Sequence, residues 1–177
     1  MAAKSKNKTS STIKQPDLRP VDIYFNQYDQ AHQNPTNRLI QFTCIPLLLF
    51  GLFGLLWVIP FPRLQFLSNY NGYINWASFL IAFAVYFYSR LSPMLSYLIL
   101  LELLIFSYVV TRIQVLQTAG IYLWLLYLGI VLLSLIVQTI GNKMEAKRSS
   151  LKDNVLFILI SPIWLLHLIL KRFSIRY

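Results

Sequence analysis

The chain predicts an all-α fold, a multipass transmembrane helix bundle with a four-helix core, a fifth kinked or re-entrant C-terminal helix and an N-terminal interfacial helix. The first observation is composition. Of 177 residues, 56% are hydrophobic and 12% charged, against about 25% charged in a soluble domain. The second is that the apolar residues fall in long runs, the first of which, residues 40–59, carries no charge. A hydrocarbon layer of about 30 Å needs about 20 such residues in a helix. The third is a mean hydropathy of +0.55.

Residues 1–19 are polar, rich in Lys, Ser and Thr, and contain no apolar run. They read as a disordered basic tail, neither a signal peptide nor a packed element. A single membrane domain is expected over 20–170, followed by a basic tail at 171–177. Pro20 suits a first helical position, and Val21, Tyr24, Phe25, Tyr28 and Ala31 follow helical apolar spacing over 20–32. That helix lies in the interface or packs on the bundle, and either placement brings His32 near the headgroups. The next helix is expected over 35–59, because Asn34 is a good N-cap and Pro35 has no N–H to leave unpaired. Asn37 and Gln41, four apart, share its side where it enters the bilayer.

Turn-forming and aromatic residues follow Pro60, of the kind that settle at a membrane boundary. Further helices are expected over 73–89, 94–111, 120–147 and 151–170. The second and third are joined through Ser89 to Pro93, a link short enough to require a tight hairpin. Ser161 and Pro162 interrupt the last apolar run and predict its kink or re-entrant shape. Glu102 stands in mid-helix, where an ionisable group costs at least about 2.5 kcal/mol and is a functional candidate by default.

The net charge of +10 comes without any nucleic-acid binding module, so nucleic acid is not an expected partner and anionic headgroups are. Cys44 is the one cysteine, which excludes an internal disulfide. Lys4, Lys6, Lys8, Lys14, Arg19 and Arg38 precede the first run, and Lys143, Lys147, Arg148 and Lys152 follow the fourth. The positive-inside rule assigns both segments to the cytoplasm, with an even number of crossings between them. Lys171, Arg172 and Arg176 fit the same side only if the fifth segment turns back.

If the helix after Gly120 runs past the membrane edge, Gln138, Asn142 and Glu145 fall at i, i+4 and i+7 on one face. That face can meet His32 and Gln41, which makes a polar cluster under an apolar bundle. The two segments resemble the motifs of the fungal 2-hydroxy fatty acid dioxygenase family. His32, Pro35 and Asn37 match the first motif, with Gln41 in place of its second histidine. Gly141, Glu145, Leu151, Asp153, Asn154 and Pro162 match the second, with Asn142 in place of its histidine. The resemblance extends from Tyr24 to Pro162.

The resemblance implies a small multipass protein of the endoplasmic reticulum membrane in a eukaryote, in which Fe(II) held by histidines lets O2 shorten a 2-hydroxy fatty acid. Otherwise an inner membrane is expected, and an organellar one stays open. On that basis His32 and Glu145 are the catalytic candidates and His32 is the candidate metal ligand. Asn37, Gln41, Asn142 and Gln138 are the candidate substrate contacts. Amide oxygens are weak donors where a ferrous site wants two imidazoles and a carboxylate, so no bound cofactor is expected. The only other histidine, His167, would lie about 20 Å deeper on a straight fifth helix. The expected partners are membrane lipids or a fatty acyl chain, with subunits of a membrane complex in the alternative of an inactive accessory protein.

Overall fold

The computed structural model describes residues 19–62, 65, 74–114, 122–145 and 151–175, with side chains of 151–156 excepted. Expectations about the tail before Arg19, the loop at 66–73, the link through Gly120, the basic residues Lys147 and Arg148, the side chains of Leu151, Asp153 and Asn154, and Arg176 lie outside the described residues. The described residues form six helices: α1 Pro20–Ala31, α2 Pro35–Val58, α3 Trp76–Ser89, α4 Pro93–Ile113, α5 Leu123–Lys143 and α6 Leu151–Arg172. Among the described residues there is no strand. Among the described residues three helices, α2, α4 and α5, are long and apolar enough to cross a membrane, while α3 is shorter.

Local chemistry sets the boundaries. α2 starts as its sequence requires, with Asn34 Oδ1 accepting from the N–H groups of Thr36 at 2.9 Å and Asn37 at 3.3 Å. Asn75 and Ser78 close a reciprocal capping box on α3, which uses up Asn75 at a helix start. The α3–α4 hairpin is held by Ser96 Oγ donating to the Val85 carbonyl at 2.9 Å. The helix expected over 120–147 is shorter: α5 ends at Lys143, where Met144 N–H turns back to the Gly141 carbonyl. Glu145 therefore does not continue the helical face of Gln138 and Asn142.

α2 and α5 form the most extensive helix pair and run antiparallel. Glycine lets them approach. A Cβ on Gly54 would strike the Tyr127 ring, one on Gly51 would meet Val131 at 2.7 Å, and one on Gly141 would strike Asn37 Oδ1. Small residues at such crossings bring backbones together where apolar side chains alone give little specificity.

α6 is a continuous α-helix through Pro162, so no break in its helical run marks the kink or re-entrant turn expected there. Phe157, Ile158 and Ser161 share a cavity wall with Gln41, Trp164 lies under Arg38, and Leu168 to Phe173 share a groove with Phe42. About 24 Å of α6 thus passes about 6 Å of α2. The helix crosses the beginning of α2 instead of running beside it. α1 lies on α6 with Val21, Phe25 and Tyr28 buried, so its apolar stripe faces protein. His167, whose depth depended on a straight spanning helix, instead stacks on Phe25 with ring centroids 4.5 Å apart. Asp29 ties the three helices together: it pairs with Arg38 of α2 and accepts from Trp164 Nε1 of α6 at 3.1 Å.

Candidate functional site

The end of the bundle where α2 begins brings together His32, Asn37, Gln41, Asn142 and Glu145. Asn37 and Gln41 are buried on α2 because Pro35 and the Asn34 cap set the phase of that helix, and Gly141 leaves room for Asn37 against α5. Gln41 Nε2 donates to Asn142 Oδ1 at 2.9 Å and to Asn37 Oδ1 at 3.4 Å. Asn37 Nδ2 donates in turn to Glu145 Oε1 at 2.6 Å. The Glu145 carboxylate also accepts from the backbone N–H of Gln33 at 3.2 Å and of Asn34 at 3.3 Å. It thus closes the α1–α2 link, beside a helix N-terminus that favours negative charge.

His32 ends α1. Its ring stacks on Tyr28 at 4.2 Å and meets the edge of Phe157, while Nδ1 bonds the Tyr28 carbonyl at 3.0 Å. A carbonyl only accepts, so Nδ1 carries the hydrogen and the neutral ring offers its other nitrogen as an acceptor. Asn142 is the side-chain partner of the ring, and its oxygen is already taken by Gln41. Burial lowers the His32 pKa below the usual imidazole value, against the opposing pull of the Tyr28 carbonyl, the Glu145 charge and Asn142. Burial also raises the Tyr28 phenol. The imidazole is neutral at pH 7.

Beside this network is a cavity of about 180 Å³ between α5 and α6, walled by Tyr28, His32, Gln41, Gln138, Asn142 and Phe157, among others. Gln138 Nε2 is buried and has no hydrogen-bond partner among the described residues. Leu135 on α5 and Ile158 on α6 also line it, and they are 39% and 50% exposed. The cavity therefore has a polar floor and a greasy open side.

The structure brings His32, Gln41, Gln138 and Asn142 to the cavity. It turns Asn37 and Glu145 into the hydrogen bonds behind it, and leaves Glu102 apart on α4. Sequence reasoning missed Tyr28, Phe157 and Ser161 as cavity walls, and the Asp29–Arg38–Trp164 contact. Tyr28 was legible only as one member of the α1 stripe, and nothing in the pattern pointed to the others.

Three nitrogen or oxygen donors of the histidine and carboxylate kind are what a ferrous site requires. Among the described residues no three His, Cys, Asp or Glu side chains are grouped to hold a metal ion. The Glu145 oxygens are spent on N–H donors, and His32 has one neighbouring amide where a second imidazole would serve. Among the described residues, the donors at this end of the bundle do not make up that set.

Long apolar helices around a partly polar cavity define a small all-helical protein. The chain belongs to the 2-hydroxy-palmitic acid dioxygenase Mpo1-like family, whose model matches residues 18–173. No curated protein and no solved structure matches it.

Proposed function

We propose that the chain sits in a membrane through a four-helix core of α2 to α5, with α1 and α6 layered over the cytoplasmic end, and that its cavity holds the polar end of a fatty acyl lipid. The buried Nε2 of Gln138, without a hydrogen-bond partner among the described residues, carries this reading, because such a donor costs about 1–3 kcal/mol unless a ligand or water satisfies it. Size supports it too. An apolar cavity of about 150 Å³ accepts benzene, so one of about 180 Å³ takes a carboxyl group and the first few carbons. The tail would leave between Leu135 and Ile158 into the hydrocarbon layer. The family name points to a 2-hydroxy acid as the ligand class, whose hydroxyl and carboxyl oxygens would face Gln138 and Asn142. His32 would present a neutral ring to them.

Under this reading the residues bind and orient a lipid head, and we infer no oxygenation step, since the donor set does not fit iron. The accessory-subunit reading is favoured by one observation, the use of Asn37 and Glu145 to weld α5 to the α1–α2 link. Equilibrium binding of 2-hydroxypalmitate to the purified protein tests the two. The lipid-head reading expects saturable binding that Gln138→Leu weakens roughly tenfold, the worth of one hydrogen bond in a dry site. Absence of saturable binding by the unmodified protein would favour the accessory role.

A further inference from the structure

A second concavity lies on the other flank of α2, where α6 ends. It has a volume of about 450 Å³ and is lined by Phe42, Leu168, Ile169, Lys171, Arg172 and Phe173. Two chemistries meet in it. Phe42 and Phe173 are 44% and 69% exposed, an apolar wall open to the outside, and Lys171 and Arg172 supply two cations on its rim. Among the described residues no acidic side chain lines it.

Backbone groups close the end of α6. The chain closes α6 with a left-handed residue, Ser174 at φ 55°. Ile175 N–H bonds the Leu170 carbonyl at 3.0 Å and Ser174 N–H bonds the Lys171 carbonyl at 3.1 Å. The last carbonyls are therefore capped by backbone, as in helices that end in a left-handed turn. Ion pairs among the described residues join Arg19 to Asp22 and Arg38 to Asp29, which engages the acids of α1. Lys171 and Arg172 have no ion-pair partner among the described residues.

We propose that this groove binds an anionic phospholipid of the surrounding bilayer, its phosphate at Lys171 and Arg172 and the upper part of one acyl chain against Phe42 and Leu168. The proposal rests on the membrane reading above. An inorganic anion has no use for the aromatic wall, and a neutral lipid has none for the cations. The groove opens at the level of α2 where polar residues give way to apolar ones, which is the level of headgroups in that reading. A seated lipid would brace the end of α6 against α2, on the opposite flank from the cavity.

The test uses the full chain purified in detergent, offered equal amounts of phosphatidylserine and phosphatidylcholine, with retained lipid counted by native mass spectrometry. One cation near a charged surface contributes about 1 kcal/mol, so two give a preference for phosphatidylserine of roughly thirtyfold. The Lys171→Gln/Arg172→Gln double variant should lose it. The charge-matched control, Arg90→Gln/Lys143→Gln, removes two exposed cations outside the groove and should keep it.

Equal retention of both lipids by the unmodified protein would overturn the proposal, as would equal loss in both variants, which means diffuse attraction to a basic surface. A dimer that dissociates only in the Lys171→Gln/Arg172→Gln variant would assign the groove to a second copy and also overturn it. Carbonate extraction of membranes is read separately. Release of the protein there would overturn the membrane reading itself, whereas an integral protein with no lipid preference would leave that reading standing and remove only the groove.

Discussion

Replacing Glu145 by Gln removes one charge and almost nothing else, so it isolates what the carboxylate contributes at the junction of α1, α2 and α5. In the native protein its oxygens take Asn37 Nδ2 at 2.6 Å and the N–H groups of Gln33 and Asn34 at 3.2 and 3.3 Å. All three are donors. The amide that replaces it keeps one acceptor oxygen and turns an N–H2 toward at least one of these donors. A hydrogen bond to a charged group contributes about 1.5–3 kcal/mol net, and the pairing with the N-terminus of α2 about 0.3–1 kcal/mol more. The site is half-buried, which reduces both, so a loss of about 2 kcal/mol is expected. That corresponds to a fall in Tm of roughly 4–8 °C for a domain of this size. Thermal melting in detergent by intrinsic fluorescence measures it, with Lys143→Gln as a control expected within about 0.5 kcal/mol of the unmodified protein. Asn37→Ala should cost a similar amount, and the double variant should cost less than the sum because the two side chains share one bond. A melting temperature unchanged by Glu145→Gln would refute the reasoning and return Glu145 to a solvated charge.

Gly141→Ala should destabilise by about 1–3 kcal/mol, since its Cβ would overlap Asn37 Oδ1 in a tightly packed crossing. The melting curve reads this, and Gly129→Ala, where a Cβ meets nothing within 4 Å, is its silent counterpart. Stability should also depend on pH through His32. Its folded pKa lies below the unfolded value of 6.5, so below about pH 6.5 the unfolded chain binds the extra proton, and stability falls as pH drops through that window. His32→Gln should flatten the fall. Iron provides the remaining prediction: protein purified without chelators should hold well under one iron per chain, and Gln41→His with Asn142→His should raise the occupancy measured by elemental analysis. Stoichiometric iron in the unmodified protein would contradict the account of its donors.

The parts of the fold governed by local chemistry were legible in the sequence. Pro20 and Asn34 with Pro35 mark helix starts that follow from steric and capping rules involving neighbouring residues only. The convergence of Gln41 with Asn142 also followed from helical spacing and two antiparallel helices. Glu145 did not, because a periodic pattern says nothing of where a helix stops, and here the stop depends on N–H donors more than a hundred residues away in the chain. The path of α6 was equally hidden. Its apolar composition suits a spanning helix and a helix packed against α1 alike, and its contacts through Trp164 with Asp29 and Arg38 involve residues far away in the chain. The cavity itself is a void between helices, bounded by Phe157 and Ser161 of α6, so it could not be read before that path was known.

The most direct test of the account is photocrosslinking with two palmitate analogues, one carrying a diazirine next to the carboxyl group and one at the tail end, followed by peptide mapping. The account predicts that the head-labelled probe marks the cavity residues, Gln138 and Phe157 among them, and that Gln138→Leu weakens the labelling. It predicts that the tail-labelled probe marks only the outward faces of α5 and α6, around Leu132 and Ile136. Head labelling spread evenly over the apolar helices, with no enrichment at the cavity, would contradict it.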